Sequence, residues 1–495
     1  MKEVQYKELC EACDHLLREG GSSVSRLAIS WLHILKSHPS FLEQYKHLFY
    51  EINIRERKRI FLQLIRYSLI TFLRIFEGIW SRDICFSNNI DQTESDFLII
   101  SHLINKELIN KKNDFYFGDI PNKLNEFGMS STVAMINHIG IKKYMLPSDL
   151  ENVHHSRIVL SKSISFVDEI KIYLTQIKEA LRLKNLKSDS ELHVRVFKEA
   201  SMQALSSSTA NNLRLKKQVS EILKIVKPKC IMVTYEGHAW ERLIFSEARK
   251  IDSNIKCIGY QHALINGQHA IYRSLGEKYD PDIIATSGVI DLVKLEKRIN
   301  NNKTIKINIG TSKKILYESM PNNDSLQKGR TCLVLADGGR EGCIQMLLFA
   351  NTLASLNPEV QFIFRLHPRT NKQLLINQNP VFKAYKSNIT WSSSSLEKDF
   401  EMSHLALYRE SNAIFGAASF GVLPIFFGND EGDMWDPLSD LADVRLSLKE
   451  VNQFSDIVKA RFSNKHKKLI RIIFEYCNKK YDNLNIEPLI RVLSN

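Results

Sequence analysis

The sequence predicts an α/β protein in which two sheet-bearing halves follow a helical N-terminal stretch. Three observations predict it. Short apolar runs without polar alternation, among them Phe97-Leu98-Ile99-Ile100, Cys230-Ile231-Met232-Val233, Cys332-Leu333-Val334-Leu335 and Phe362-Ile363-Phe364, read as strands buried on both faces, as in a parallel sheet. Between them lie stretches with apolar residues at three- and four-residue steps, the period of a helix packed on one face. Several runs also end abruptly in polar or glycine-bearing segments, and in open α/β sheets ligands bind beyond the carboxyl ends of strands. The 495 residues suggest about two to four domains. The boundaries expected are a helical extension over 1–90, a first sheet domain over 91–316 and a second over 317–495.

Composition narrows the class. With 44% hydrophobic and 25% charged residues the balance is that of a globular chain. A formal net charge of +13 favours an anionic partner. Nucleic acid is not favoured, because there is no zinc-finger spacing, no basic helix with heptads and no basic strand studded with aromatics. Cys10-x-x-Cys13 is an isolated pair with no second pair to complete a zinc site, and Cys230, Cys257 and Cys332 fall in apolar runs as small core residues. The start, Met1-Lys2-Glu3-Val4-Gln5, lacks an apolar signal region, so a cytoplasmic protein is expected.

In the N-terminal stretch, Val24–Leu35 has helical spacing, and Phe61–Trp80 is the most apolar helix candidate, preceded by Arg55-Glu56-Arg57-Lys58-Arg59. Arg66 and Arg74 inside it, at about 2.5–3.5 kcal/mol each, oppose a membrane span. A buried helix of an accessory domain and an interfacial helix against anionic lipid are the two readings.

From Asp96 strands and helices alternate. Phe97–His102 is a strand, Phe115–Pro121 a turn entering a helix near Asn122, and Ser131–Ile139 and Lys142–Leu146 continue the pattern. Residues 161–225 read as helices flanking the sheet, interrupted at Ser206–Thr209. The strand Cys230–Thr234 empties into Tyr235-Glu236-Gly237-His238-Ala239-Trp240-Glu241. A strand end carrying Glu, His and Trp within six residues suits a general base. Glu236 is the candidate, with a capping acid at a helix start as the alternative. Glu241 is a second candidate acid, and His238 either bonds acceptor hydroxyls or is structural. The next strand, Ile255–Tyr260, ends in Gln261-His262-Ala263, where Gln261 and His262 fit sugar hydroxyls and His262 reads equally as a core histidine. Asp280-Pro281-Asp282 lies before a strand with a proline inside, so it reads as a turn rather than a metal site. No metal site is expected.

In the second half, Thr331–Ala336 leads into Asp337-Gly338-Gly339-Arg340-Glu341-Gly342 and a helix from Cys343 to Leu356. Glycines between strand and helix let backbone N–H groups approach an anion. The strand Phe362–Leu366 ends in Arg365-Leu366-His367-Pro368-Arg369, and proline stops the ladder there. A histidine flanked by arginines suits a phosphate, and the alternative is a basic surface turn. The short strand Leu405–Tyr408 is followed by Arg409-Glu410-Ser411-Asn412 and an Ala/Gly-rich helix, Ala413–Gly421, where Ser411 either caps the helix or joins its amides on a phosphate. Asn429-Asp430-Glu431-Gly432-Asp433 is an acidic loop that either approaches a bound ligand or is solvated. The tail Lys459–Tyr481 has a basic face.

The ordered set of Asp-Gly-Gly loop, His367-Pro368, Tyr408-Arg409-x-Ser411 and Gly421-x-x-Pro424 resembles the donor-binding half of GT-B glycosyltransferases, and most of all the sialyltransferase-like and Kdo-transferase-like enzymes that use CMP-activated sugars. From about Asp96 the chain also resembles bacterial surface carbohydrate biosynthesis proteins, through Asp114-x-Tyr116-Phe117-Gly118-Asp119-x-Pro121, Thr234–Glu241 and Gly259-Tyr260-Gln261-His262-Ala263. The resemblance implies two Rossmann-like domains with a central cleft, and a last helix crossing back to the first domain. It implies Glu236 and His367 as catalytic groups. Asp337, Gly338, Gly339, Arg365, His367, Pro368, Ser411 and Asn412 would hold the nucleotide, and His238, Glu241, Gln261 and His262 the acceptor. Where the family pattern has Ser-Ser, this chain has Ser411-Asn412. The activity implied is transfer of a Kdo-like or sialic-acid-like residue from a CMP donor, without metal or cofactor, to a surface polysaccharide or lipid-linked glycan, in the cytoplasm or at the inner face of the inner membrane with peripheral contact to anionic lipid. A nucleotide-diphosphate donor with glycosyl or polyol-phosphate transfer, and a non-catalytic scaffold of polysaccharide assembly, are the alternatives.

Overall fold

The computed structural model describes residues 3–18, 24–34, 43–49, 62, 65–66, 69–70, 72–79, 84–86, 94–109, 111–142, 156–265, 270–299, 303–312, 330–367, 370–428, 436–448, 450–460 and 463–494. Pro368, Arg369, the acidic loop Asn429–Asp433, Phe61, Trp80 and Tyr317 lie outside the described residues. The α/β class holds. The chain forms two compact units, one of residues 1–263, 268–313 and 482–495, the other of 264–267 and 314–481.

The first unit carries β1 (Cys85–Phe86), β2 (Phe97–Leu103), β3 (Ser131–Asn137), β4 (Ser156–Leu160), β5 (Cys230–Thr234), β6 (Lys256–Gln261), β7 (Ile283–Thr286) and β8 (Ile305–Asn308), ordered β1-β4-β3-β2-β5-β6-β7-β8. Only β1 among these described strands runs antiparallel. The other seven, renumbered along the chain, lie in the order 3-2-1-4-5-6-7. The strand order therefore reverses between β2 and β5, paired from Phe97↔Cys230 to Ile100↔Val233. β1, β4 and β8 were not anticipated: β1 has two residues and lies in the stretch expected to be helical, β4 opens on the polar pair Ser156-Arg157, and β8 lacks fully buried residues.

The N-terminal helix Glu3–Arg18 belongs to this unit, and Leu9, Cys13 and Leu16 share a core with Ile172, Leu183 and Phe197. Its cysteines are buried, which pushes both thiols up. Ser206, expected to interrupt a helix, caps the helix Ser207–Val226 by accepting the Thr209 N–H at 3.3 Å. After Tyr481 the chain rejoins the first unit, where Ile486 and Leu489 of the last turns pack with Phe97 and Tyr260.

The second unit holds β9 (Thr331–Leu335), β10 (Gln361–Arg365), β11 (Ile389–Trp391), β12 (Leu405–Tyr408), β13 (Leu423–Phe427) and β14 (Leu446–Leu448). All are parallel, in the order β11-β10-β9-β12-β13-β14, which is 3-2-1-4-5-6 along the unit. This is the order of a doubly wound sheet, whose crevice lies where the order reverses. Here that point is between β9 and β12. Leu335 is level with Arg365 on one side and Tyr408 on the other, so the three following loops leave the sheet at one height.

Candidate functional site

In the second unit, the β9 loop passes from buried Asp337 to exposed Gly338 and Gly339 and into the helix Arg340–Leu356, which starts three residues earlier than expected. Gly339 is the N-cap, and no side chain caps that end. Its open amides are the kind that receive an anion. The half-buried His367 ring lies over Gly338: a Cβ there would sit 3.5 Å from His367 Cγ. Asp337 Oδ1 accepts the Glu410 N–H at 3.2 Å, and Arg409 Nε is 3.9 Å from Oδ2. Gly342 has to lack a side chain, because a Cβ would come within 2.4 Å of Asp337 Oδ2. Thus the loops after β9, β10 and β12 meet at the switch point, and Asp337 ties two of them together.

Several expected ligands sit elsewhere. Arg365 is pulled toward β11: its Nη1 donates to Asp399 Oδ2 at 2.6 Å, to Ser392 Oγ at 3.0 Å and to the Ser394 carbonyl at 3.0 Å. It braces the sheet edge rather than the switch point. Asp337, expected beside the nucleotide, has its carboxylate oxygens turned to the Glu410 N–H and toward Arg409. Asn412 is the N-cap of the seven-residue helix Ala413–Ser419 without a side-chain capping bond, and the Ser411 carbonyl accepts the Ile414 N–H at 3.2 Å. Ser411 is half-buried and Asn412 exposed. Cys343, beside Asp337, is pushed up to about 11 by burial and is no thiolate nucleophile.

In the first unit the counterpart forms where β2, β3, β5 and β6 end. Glu236 and His238 stand on the loop after β5, with His238 Nε2 3.7 Å from Glu236 Oε2. Glu241 does not face an acceptor. It is fully buried and accepts the N–H groups of Glu236 (3.1 Å), Gly237 (2.8 Å) and His238 (2.7 Å). Burial, with the nearby Glu236 carboxylate also raising it and His238 opposing, pushes its carboxyl up to about 7. Gly237 has φ of +86°, and a Cβ would meet the Ala270 carbonyl carbon at 2.7 Å. Gln261 is likewise fully buried and donates its amide to the Ala263 carbonyl, so it ties its own loop.

The sequence reading missed two histidines. His102, near the end of β2, places Nδ1 2.9 Å from His138 Nε2 and Nε2 3.4 Å from Thr234 Oγ1. Its ring meets Tyr116 edge-on at 4.9 Å and Trp240 at 5.1 Å, and Tyr116 in turn meets His262 at 5.3 Å. Burial, then His138, His238 and His262, lowers His102 to about 3, so it is neutral at physiological pH. Tyr116 is presented by a turn in which Asp114 Oδ1 accepts from Ser101 Oγ (2.8 Å) and from the Tyr116 (2.7 Å) and Phe117 (2.8 Å) amides. The one local signal is that His102 stands near the end of a buried apolar run, Phe97–Leu103.

Asp280 and Asp282 are structural, as the turn reading expects. Asp280 accepts from Ser274 Oγ (2.5 Å) and the Gly276 N–H (2.9 Å), and Asp282 from Arg249 (2.9 Å) and the Cys257 N–H (2.7 Å). Among the described residues no cluster of three or more His, Cys, Asp or Glu is arranged to hold a metal ion.

No protein-family model matches the chain, and no curated protein matches it. Among solved structures it is similar to MurG of Acinetobacter baumannii, at 11% identity over 81% of this chain and 99% of that one, with a TM-score of 0.44. It is also similar to UDP-GlcNAc 2-epimerase of Neisseria meningitidis bound to UDP-GlcNAc, at 13% identity over 81% and 100% of the two chains with a TM-score of 0.46. Anabaena Alr3699/HepE in complex with UDP and glucose gives 10% identity over 81% and 100%, with a TM-score of 0.44.

Proposed function

We propose that the chain is a glycosyltransferase of GT-B type that uses a nucleotide-activated sugar, with the donor held by the second unit and the acceptor by the first. One observation carries the reading: in each unit the residues that suit this chemistry gather at the reversal of the strand order. His367, Gly338 and Gly339 do so beside β9 and β12, and Glu236, His238 and His102 beside β2 and β5. The leaving phosphate is stabilised by His367 and by the amides opening the helix Arg340–Leu356, with Arg409 adding positive field. Charge-assisted hydrogen bonds of this kind are worth about 1.5–3 kcal/mol each. Glu236 removes the acceptor hydroxyl proton. Glu241, through three backbone N–H groups, fixes the loop that carries Glu236 and His238.

The donor is proposed at the level of a nucleotide sugar. The motif resemblance names CMP-ulosonic acids, whereas solved structures similar to the chain are described with UDP and glucose and with UDP-GlcNAc. Nucleotide-diphosphate sugars are therefore assayed first and CMP sugars beside them. The test is donor hydrolysis and transfer measured across UDP, TDP, CDP and CMP compounds. The expected result is turnover of one class, with Glu236→Gln abolishing transfer while nucleotide binding persists. Turnover of none, or full transfer by Glu236→Gln, overturns the reading.

A further inference from the structure

We infer that the helix Phe166–Lys184 and the adjoining segment 72–79 form a docking face for an anionic lipid surface. Val167, Leu174 and Leu181 lie seven residues apart on the helix and are 57%, 58% and 57% exposed, with Phe166 beside them 40% exposed. Lys171 and Lys178 fall between them at steps of four and three, so apolar and cationic side chains alternate along one face.

Two of the three acids of this helix turn inward. Glu169 is buried against Arg214 at 2.6 Å and Glu179 against Arg26 at 3.0 Å. Asp168 is half-buried, accepts from Ser165 Oγ at 2.7 Å and stands 4.0 Å from Lys171 Nζ, so it offsets part of that lysine's charge. Arg182 and Lys184 are exposed as well. The outward face is thus apolar and positive, not merely apolar.

Segment 72–79 extends it. Glu77 Oε2 accepts from Ser163 Oγ at 2.9 Å, and a Cβ on Gly78 would be 3.1 Å from Phe166 Cα, so this helical segment rests on the start of Phe166–Lys184. Its Phe72, Leu73, Phe76 and Ile79 remain exposed.

The alternation decides the occupant. The centre of a protein interface is depleted in lysine, which argues against a second copy or a protein partner. A headgroup layer accepts lysine heads while apolar side chains enter the acyl boundary. Among the described residues no helix is long and apolar enough to cross a membrane, so this face would lie on the surface. The inference is independent of glycosyl transfer.

The test is cosedimentation of the full chain with vesicles of phosphatidylcholine alone and of phosphatidylcholine with about one-third phosphatidylglycerol. The expected result is binding to the anionic vesicles that weakens at high salt, and little binding to the neutral ones. Lys171→Gln with Lys178→Gln lowers the partition about fivefold per lysine, roughly 25-fold together. Leu174→Gln with Leu181→Gln abolishes it, with unchanged circular dichroism. Absence of wild-type binding, equal binding to both vesicles, or variants that bind like wild type overturns the inference. So does a wild-type dimer in light scattering that the leucine variant converts to monomer, since a second copy would then occupy the face.

Discussion

Asp337 Oδ1 accepts the backbone N–H of Glu410 at 3.2 Å, and this bond joins the loops after β9 and β12 where the strand order reverses. Replacing Asp337 by alanine removes the acceptor of a half-buried N–H, at a cost of about 0.5–1.5 kcal/mol. Asparagine keeps the acceptor. The expected outcome is a lowered unfolding midpoint and weakened nucleotide binding for Asp337→Ala, with Asp337→Asn near wild type in both. Denaturant unfolding and calorimetry of the two variants check it.

Glu241 links pH to stability. Its carboxyl is raised from 4.5 to about 7, so between those values the folded chain holds a proton that the unfolded chain has released. Stability from this group therefore falls as pH rises from about 4.5 to about 7, and is constant above. Denaturant midpoints measured across that range for wild type and Glu241→Gln should differ in slope, with the variant flatter. Parallel slopes contradict the assignment.

His102 is expected to remain neutral through pH 5–8, since burial and three neighbouring histidines lower it to about 3. NMR titration of labelled histidine, assigned with His102→Gln, should show a ring without inflection in that range. An inflection near 6.5 would place the ring in solvent.

Gly237 stands at φ of +86° against the Ala270 carbonyl. Alanine there costs at least about 1–2 kcal/mol from the left-handed backbone alone and also displaces the Glu236 loop. Gly339→Ala, with nothing within 4 Å of the new Cβ, should be nearly neutral. Thermal unfolding of both, with activity for the first, tests the contrast.

Much of this was legible in the sequence because short unalternating apolar runs bounded by turn residues fit strands buried on both faces better than helices. Thr331–Leu335, Leu405–Tyr408 and Cys230–Thr234 were readable in that way, and so were the polar segments at their ends. Side-chain direction was not. Arg365 is the last residue of its strand and turns to Asp399, while His367 lies two residues beyond the strand end, where the strand's alternation, which would set i and i+2 on one face, no longer holds. Glu241 and Gln261 looked like ligands by residue type, and burial made them ties for their own loops. His102 and His138 come together only through the β2–β3 register, which pairs residues 34 apart such as His102↔Ile136, and no local pattern marks that pairing.

The most direct measurement is calorimetric titration of the full chain with nucleotide diphosphates and CMP, repeated on His367→Ala and Arg365→Ala. The expected result is saturable binding by wild type, a loss of roughly tenfold to a hundredfold in His367→Ala from one charge-assisted hydrogen bond, and near-wild-type affinity in a less stable Arg365→Ala. No binding by wild type, or equal affinity in His367→Ala, would contradict it.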